Sequence, residues 1–306
     1  MSATSAGRRP VGSAYGIAPP GYRLPEATHL GRVKLQVTSL ERSLDFYSRI
    51  IGLRTLESTA NRTALGAQLD SAPLVELLER PGAAPVPRQG RLGLYHFALR
   101  LPSRAALARF TRHAADVGAR MGMADHLVSE AVYLSDPDGH GIEIYADRPR
   151  SQWQRRGRQL VMGTEPLNVA DLLAQIGDGP FEGLPAGTVV GHVHLHVGDL
   201  GKAGAFYHDA LGFDKIVWDY PGALFLSEGG YHHHLGVNTW ASEAPRAGPD
   251  DARLIAWTVI VPEPGAADRA ADSIKAAGHA ISGQSGHWLV EDPWGTAVEI
   301  SSRTNG

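Results

Sequence analysis

The sequence predicts an α+β protein in which four βαβββ units form mixed sheets that curve around a cavity. The first observation is an internal repeat, because GRVKLQVTSLERSLDFYSRIIGL, from Gly31, matches GHVHLHVGDLGKAGAFYHDALGF, from Gly191. The second is that DPDGHGIEI, from Asp136, matches DPWGTAVEI, from Asp292. Similarity within one chain at a fixed spacing indicates a repeated structural unit. The third observation is the hydrophobic pattern, which predicts the same order of elements in each unit.

Each predicted unit begins with a strand, continues with a helix and ends with three short strands. In the first unit Val33, Leu35 and Val37 alternate with polar residues, which is typical of a strand with one buried face. Apolar residues then recur at helical spacing over residues 40–51, and a glycine follows, as suits a helix end. The third unit repeats this pattern, so we predict a second helix of this kind over residues 200–211.

The units fall into two regions of similar length. The first region, 29–148, holds units 29–82 and 92–148, and the second, 189–303, holds units 189–241 and 252–303. Residues 1–28 are rich in Ala, Gly, Ser and Pro and are predicted to be a tail or surface arm. Residues 149–188 are predicted to be a linker, which is long for a compact protein, with one short helix over residues 169–176.

Composition limits the kinds of partner and of site. The 306 residues include 29 Lys plus Arg and 32 Asp plus Glu, a net charge of -3, so the chain has no basic field for nucleic acid. No apolar run approaches the roughly 18 residues of a membrane span, and the N-terminus has no apolar segment of signal-peptide length. We therefore expect a cytoplasmic protein that does not bind membranes. The absence of cysteine leaves carboxylates and the 14 His as metal ligands.

Side chains that could bind a metal ion fall on one face of several predicted strands. Successive strand residues point to opposite faces, so a polar residue beside a buried apolar one faces away from the core. The residues placed on this polar face are His192, His194, His196, His96, Glu143, His232 and His234. The same alternation places His233 on the other face. A single strand histidine is usually a surface or hydrogen-bonded residue, but six imidazoles with a carboxylate predict a site for non-haem iron, manganese or zinc.

Three segments carry a resemblance to a known family. HLVSEAVYLSDPDGHGIEIY, from His126 to Tyr145, is the most specific, and GHVHLHVGDL and YHHHLGVNTW are the others. On these segments the chain resembles the vicinal oxygen chelate superfamily, and within it the extradiol ring-cleaving dioxygenases of the catechol 2,3-dioxygenase-like branch, over about residues 29–303. The resemblance implies two vicinal-oxygen-chelate modules whose mixed sheets curve around a metal cavity that holds Fe(II), or in some members Mn(II).

The resemblance also implies roles for individual residues. Such enzymes hold the metal with two His and one Glu, and the matching residues here are His192, His96 and Glu143. The matching second-sphere catalytic residues are His234, which is the candidate base, His126 and Tyr133. The implied reaction uses O2 to cleave the ring of a catechol-type substrate to a semialdehyde. The expected partners are a small aromatic diol and O2, and the expected assembly is a homo-oligomer.

The order of the units departs from the usual family pattern, in which two consecutive units carry all three ligands. Here the first unit has Arg32 at the ligand position, and the fourth has Ala256 and Leu289 where the second has His96 and Tyr133. Joining the second unit to the third unites all six site residues, so we predict this pairing. The alternative keeps the third and fourth units together and binds metal through His192, His234 and Glu299.

Two other functions stay open from the sequence. A different metalloenzyme of the superfamily, such as a glyoxalase or an epimerase, would also use His and Glu ligands but normally needs four protein ligands and no O2. The other is a binding protein that has lost its metal and sequesters an aromatic compound. Arg32 and Ala256 favour this interpretation, because they show that half of the sites have lost their ligands.

Overall fold

The computed structural model describes residues 15–177 and 179–302, and its first two units have the predicted order of elements. The first unit contains β1 (His29–Val37), α1 (Leu40–Asp45), β2 (Arg54–Ser58), β3 (Arg62–Gly66) and β4 (Val75–Glu79). The second contains β5 (Gly93–Arg100), α2 (Arg104–Asp116), β6 (Gly122–Asp125), β7 (Ser129–Ser135) and β8 (Gly141–Asp147). The predicted linker contains a 3-10 turn (Arg150–Gln152), β9 (Arg155–Arg156), β10 (Gln159–Leu160) and α3 (Val169–Leu173). The expected linker helix is therefore present, and it ends three residues early.

The third and fourth units repeat the order of the first two. The third contains β11 (Val189–His196), α4 (Leu200–Ala203), β12 (Asp214–Val217), β13 (Ala223–Ser227) and β14 (Leu235–Asn238). The fourth contains β15 (Arg253–Ile260), α5 (Pro264–Ala276), β16 (Ile281–Gln284), β17 (His287–Glu291) and β18 (Ala297–Ser301). α1 and α4 continue as π-helical segments, Phe46–Ile51 and Gly204–Ala210, which confirms the predicted helices. Within the described ranges, no helix is both long enough and apolar enough to cross a membrane.

The strands form two eight-stranded mixed sheets, and each sheet combines units that are not consecutive. Sheet A has the order β12-β13-β14-β11-β5-β8-β7-β6 and joins the second unit to the third. Sheet B has the order β16-β17-β18-β15-β1-β4-β3-β2 and joins the first unit to the fourth. The seams between units are antiparallel pairs, β11 with β5 and β1 with β15. The predicted pairing of the second and third units is confirmed, and the alternative pairing of the third and fourth is wrong.

Two tyrosines and two aspartates of the repeat link consecutive units to each other. The hydroxyl of Tyr47 donates to Asp136 Oδ2 at 3.1 Å, and that of Tyr207 donates to Asp292 Oδ2 at 2.8 Å. The other oxygen of each aspartate accepts backbone N–H groups of its own turn. Buried polar groups require such partners. The repeated residues therefore attach the helix of one unit to the following unit, while the sheets pair units that are distant in the sequence.

The apolar faces of the two seam strands are fully buried. Val33, Leu35 and Val37 of β1 have no exposed surface, as the strand alternation predicts. The same holds for Val193 and Leu195 of β11. All five belong to one core cluster that also contains the buried faces of the helices. Burial of each such side chain contributes about 1.5–3 kcal/mol to folding. Because the core uses only this face of each strand, the opposite face can carry polar groups.

Residues 15–28 form an arm that covers the edge of sheet A. Ile17 makes a backbone bridge to Lys215 of β12, which is the edge strand. The guanidinium of Arg23 donates to both carboxylate oxygens of Asp214, also on β12, at 2.8 and 2.6 Å. Covering an edge strand blocks its unpaired backbone groups from pairing with another chain. Residues 1–14 of the predicted tail lie outside the described residues.

Candidate metal centre

Three neighbouring strands at the centre of sheet A bring the predicted metal ligands together. β11 pairs with β5 and β5 pairs with β8, and their register aligns His192, Ala98 and Glu143 side by side. Cross-strand neighbours share one face of a sheet, and the small side chain of Ala98 separates the two larger ones. His96 lies two residues before Ala98 and therefore projects from the same face.

The ligand atoms of these residues converge. His96 Nε2 lies 3.3 Å from His192 Nε2. Glu143 Oε2 lies 3.0 Å from the first nitrogen and 2.9 Å from the second. Three ligands on one face of an octahedron lie roughly 3.0 Å apart when their bonds to the metal are roughly 2.1 Å long. The spacing therefore fits a facial triad of two His and one carboxylate, a set that suits non-haem Fe(II).

The triad is buried, and among the described residues no Lys or Arg side chain pairs with the negative charge of Glu143. The exposed fractions of His96, Glu143 and His192 are 5%, 2% and 1%. Burial raises the pKa of Glu143, but the His192 and His96 imidazoles outweigh this effect and hold that pKa well below its usual range. Burial also lowers the pKa of His96, which favours the neutral ring that binds metals. Among the described residues only histidines pair with Glu143, so the donor set fits a divalent cation.

His126 and Tyr133 lie beside the triad and contact each other. His126 Nδ1 is 2.7 Å from the carbonyl oxygen of Gly163, which can only accept, so Nδ1 carries a proton. His126 Nε2 is 2.6 Å from the hydroxyl of Tyr133. Burial, and then the nearby Glu143 carboxylate, raise the pKa of Tyr133 well above its usual value, so this hydroxyl keeps its proton. Gly163 belongs to the predicted linker, which thus orients a residue of the site.

His233 lies at the wall of the cavity above the triad, and His234 does not. The ring of His233 packs against that of His192 with centroids 4.0 Å apart. His234 Nδ1 instead lies 3.0 Å from Ser227 Oγ, and its ring lines a different cavity. The prediction that His234 faces the site and His233 faces away is wrong. β14 begins only at Leu235, and the preceding histidines lie in a bent segment where strand alternation does not apply.

The cavity above the triad has a volume of about 310 Å³ and mostly apolar walls. The large side chains of these walls are Tyr95, Met123, Met162, Tyr220, Phe225 and Trp240. Tyr95 and Trp240 are 40% and 50% exposed, and their rings meet edge to face with centroids 5.7 Å apart. Within the described residues no Lys or Arg lines this cavity. The walls therefore suit an uncharged aromatic molecule.

Sequence reasoning missed several of these wall residues for identifiable reasons. Strand alternation assigns Tyr95 to the face opposite His96, but the pairing of β5 with β11 shifts register at this point. Such a bulge turns a side chain toward the other face. Met162 and its neighbours come from the predicted linker, where no periodic pattern exists to place them. The hydrophobic periodicity of the sequence therefore does not identify these residues as part of the cavity wall.

The other carboxylate considered as a ligand lies in sheet B. Lys34 Nζ donates to Glu299 Oε1, and the hydroxyl of Thr258 donates to Glu299 Oε2 at 3.2 Å. Glu299 is therefore already paired with a cation of the chain. The alternative ligand set of His192, His234 and Glu299 is not brought together, because Glu299 belongs to the other sheet and His234 faces a different cavity.

Comparisons with known proteins agree with this architecture. Residues 29–144 and 189–300 match the family model described as Glyoxalase/Bleomycin resistance protein/Dioxygenase superfamily. The chain is 47% identical over 276 residues to a catechol-2,3-dioxygenase of Bacillus subtilis (strain 168), covering 88% of this chain and 95% of that protein.

Solved structures of low sequence identity share the fold. A structure from Bacillus subtilis superposes with a TM-score of 0.64 at 12% identity, over 91% of this chain and 86% of its own. Glyoxalase I from Zea mays superposes with a TM-score of 0.56 at 17% identity, over 90% and 92%. The repeated units, the paired sheets and the family match over both halves together show that the chain belongs to the glyoxalase, bleomycin resistance protein and dioxygenase superfamily.

Proposed function

We propose that this protein is a metal-dependent extradiol dioxygenase, which uses O2 to cleave the ring of a catechol-type substrate to a semialdehyde. The observation that carries the proposal is the buried triad of His96, His192 and Glu143 at the base of an apolar cavity. The similarity to a catechol-2,3-dioxygenase over 88% of the chain supports the substrate class. The same three residues would hold Fe(II), or alternatively Mn(II).

The proposed metal and the protein divide the chemistry between them. When bound by three protein ligands on one face, a divalent ion supplies adjacent open positions for a chelating diol and for O2. The chain itself supplies the apolar walls, the groups that exchange protons and the donors that orient the diol. A triad of this kind needs no fourth protein ligand, and a glyoxalase or epimerase normally has one.

His233 is the residue proposed to accept a proton from the substrate. Burial is the main cause that lowers the pKa of His233 below its usual range, so its ring is neutral at pH 7. A neutral imidazole at the cavity wall can accept the proton that a catechol hydroxyl loses on binding. His233 takes over the role that the resemblance implied for His234, because His234 does not reach this cavity.

Tyr133 and His126 are proposed to hold the oxygen atoms of the substrate. The hydroxyl of Tyr133 keeps its proton and lines the cavity beside Glu143, so it can donate to a substrate oxygen when that oxygen replaces His126 Nε2 as its acceptor. His126 is fixed by the carbonyl of Gly163 and presents Nε2 to Tyr133. This arrangement lets His126 exchange a proton with Tyr133 or with a molecule between them.

The substrate proposed for the cavity is an uncharged catechol with at most small apolar substituents. A volume of about 310 Å³ admits one substituted aromatic ring. The walls contain aromatic and methionine side chains, and within the described residues no cation is available to pair with a substrate carboxylate. An unpaired carboxylate would lose its hydration on entering such a site, which disfavours acidic catechols.

Anaerobic metal loading followed by oxygen uptake tests the proposal. We expect the protein to bind close to one equivalent of Fe(II) or Mn(II) per chain and to change the spectrum of catechol before O2 is added. Oxygen electrode traces should then show one O2 consumed for each catechol, with a semialdehyde product. Catechol binding without O2 uptake would instead indicate a binding protein, and turnover of another substrate without O2 would indicate a different metalloenzyme.

A further inference from the structure

A row of three side chains leads from the wall of the metal cavity to a partly exposed carboxylate. His233 Nδ1 lies 2.7 Å from His232 Nδ1. The other nitrogen of His232, Nε2, lies 2.9 Å from Asp147 Oδ1. His232 has no exposed surface, whereas the Asp147 side chain is 24% exposed. The proposed acceptor of the substrate proton is therefore joined to Asp147 through a fully buried imidazole.

The carboxylate at the end of this row is ionised and well anchored. Burial raises the pKa of Asp147, but the hydrogen bond from His232 and the charge of Arg100 outweigh it and lower the pKa. The hydroxyl of Tyr231 also donates to Asp147 Oδ1, at 3.1 Å, and Arg100 lies 3.3 Å from Oδ2. An ionised carboxylate can only accept hydrogen bonds.

The positions of the protons follow from that carboxylate. His232 Nε2 must donate to Asp147, so in a neutral ring His232 Nδ1 has only a lone pair. His233 Nδ1 faces this lone pair at hydrogen-bond distance, so it must be the donor. In a neutral His233 the proton on Nδ1 leaves Nε2 as the acceptor. Within the described part of the chain Nε2 makes no hydrogen bond to the protein, and the ring lines the cavity.

We propose that Asp147 and His232 are positioning residues that fix the tautomer of His233, so that Nε2 presents its lone pair to the substrate. The inference rests on the function proposed for the cavity and adds two residues to it. Neither residue touches the cavity itself. A carboxylate that accepts a hydrogen bond from a histidine fixes the tautomer of that ring. Here the ring fixed by Asp147 is His232, and His232 in turn fixes His233.

The row is confined to the sheet that has the triad. At the repeat spacing, the residues of sheet B that match His232 and His233 are Ala72 and Pro73. These side chains have no nitrogen that could form such a row. A structural requirement of the fold would apply to both sheets, whereas a role in positioning a base applies only where a base is needed.

Nitrogen NMR of the full-length protein tests the tautomer independently of turnover. We would label the histidines with 15N, remove the metal, and assign the His233 signals by their loss in His233→Gln. The expected wild-type spectrum has a protonated Nδ1 and an unprotonated Nε2 in His233. A proton on Nε2 would overturn the proposal, and it is the result expected if His232 were an imidazolium that donates from both nitrogens.

Asp147→Asn tests the control that the carboxylate exerts. Arg100 can only donate, so the amide oxygen would take the Oδ2 position and the amide nitrogen would donate to His232 Nε2. This would move the His232 proton to Nδ1 and the His233 proton to Nε2. We expect this tautomer change in the NMR spectrum. In the Fe(II) enzyme we expect metal content and KM close to wild type and a kcat about 10²–10⁴-fold lower, the usual contribution of a general base. Asp147→Glu should restore the wild-type tautomer and much of kcat.

Tyr231→Phe is the matched control. It removes another hydrogen bond to Asp147 but keeps the ring that packs on His232, with centroids 4.1 Å apart, and the contact of Asp147 with His232. The tautomer of His233 should stay as in the wild type. An unchanged tautomer in Asp147→Asn would overturn the inference. A wild-type holoenzyme that consumes no O2 with catechols would overturn the proposed function instead, with the NMR result still interpretable.

Discussion

Sheets A and B have the same strand order, but they neutralise the same buried carboxylate in different ways. In sheet A, Glu143 faces two imidazoles, and among the described residues no cationic side chain reaches it. In sheet B the matching Glu299 pairs with Lys34, which stands at the repeat position of His194. A carboxylate on this strand therefore has a protein cation in one sheet and two ligands for an external cation in the other.

The neighbouring positions change together with this difference. In sheet B, Arg32 stands at the position of the proposed ligand His192 and pairs with Glu76 at 3.1 Å. The residue of sheet A that matches Glu76 is Gly236, where an added Cβ would lie 2.9 Å from the ring of His194. In sheet A the ring of His194 packs against Gly236, which has no side chain. In sheet B the charges of Arg32 and Glu76 pair instead. The comparison indicates that a metal site and an ion-pair cluster are alternative ways to satisfy the same backbone.

The largest expected effect distinguishes the two carboxylates. We expect Glu143→Gln to lose its bound metal and all ring cleavage, because a neutral amide is a much weaker ligand for a divalent ion. Glu299→Gln should keep its metal content, since Glu299 is paired with Lys34 and lies in the other sheet. Metal analysis of the two purified variants, side by side, measures this. Loss of metal from Glu299→Gln alone would reverse our assignment of the sheets.

The proposed ligand His192 provides a second measurement of the same contrast. His192→Ala should remove the metal and the activity while the protein stays folded, because the apolar face of its strand is untouched. Tyr133→Phe should keep the metal and lose mainly turnover, since Tyr133 lines the cavity but is not one of the three residues whose ligand atoms converge. A full equivalent of metal in His192→Ala would show that His192 is not a ligand.

The next largest effect separates the two adjacent histidines of sheet A. We expect His233→Gln to reduce kcat by about 10²–10⁴-fold with little change in metal content, because it removes the proposed base. His234→Gln should keep kcat within a few-fold of wild type, since His234 faces Ser227 and a different cavity. Steady-state kinetics on the Fe(II) forms measure both. A larger loss in His234→Gln would restore the role that the resemblance implied.

Sequence patterns predicted which three residues converge, but not which histidine lines the cavity as the proposed base, and the difference has a physical origin. His96, Glu143 and His192 lie inside regular strands, where alternation of faces is a consequence of backbone geometry. The histidines before Leu235 lie outside β14, so extending the alternation to them gave the wrong face. The conformation of such a segment depends on tertiary contacts, for example the one between His232 and Asp147. These two residues lie far apart in the sequence, so a local pattern does not reveal the contact.

The fold was predicted for a related reason. The repeat marks the units. Arg32 in the first unit and Ala256 in the fourth stand where the other two units have candidate ligands, and this difference predicted that the second and third units share a sheet. The apolar walls of the cavity were not predicted, because Met162 belongs to the predicted linker and Tyr95 to a strand with a bulge. Neither position follows a period that a sequence can show.

A third prediction concerns the ion pair of sheet B. Lys34→Met leaves the Glu299 carboxylate, 6% exposed, without its cation. Removing one partner of a buried pair typically costs roughly 3–5 kcal/mol, and we expect roughly 3 kcal/mol here because the lysine side chain is 20% exposed. Chemical denaturation at pH 7 measures the loss. The double variant Lys34→Met with Glu299→Gln should recover part of it, and no loss in the single variant would contradict the contrast between the sheets.

A fourth effect, of similar size, uses Glu228, for which the repeat places a neutral amide, Gln68, in sheet B. Burial raises the pKa of Glu228 to about 7, against a usual value of 4.5. Between these values the folded state holds a proton that the unfolded state has lost, so stability falls as pH rises from about 4.5 to 7 and then levels off. We expect a fall of about 3 kcal/mol from this group, at about 1.4 kcal/mol for each pH unit between 4.5 and 7.

The matched variant for this effect is Glu228→Gln, which copies sheet B. Its amide has no proton to lose in this range, so the difference in stability between variant and wild type should grow from pH 5 to pH 8. Denaturation curves at several pH values measure that difference. A constant difference across the range would show that Glu228 is not the group responsible.

The smallest expected effect concerns the charge of the substrate. In sheet B, cationic side chains stand at the positions that match His192 and His194, but within the described residues no Lys or Arg lines the cavity of sheet A. We expect kcat/KM for 3,4-dihydroxybenzoate to be roughly tenfold or more below that for 4-methylcatechol, because the carboxylate loses hydration without gaining a partner. Met123→Lys places a cation in the wall and should narrow the ratio, whereas Met123→Leu should leave it unchanged. Equal use of the two substrates by the wild type would mean that the carboxylate stays in water at the cavity mouth. The absence of Lys and Arg from the described lining of the cavity would then have no bearing on specificity.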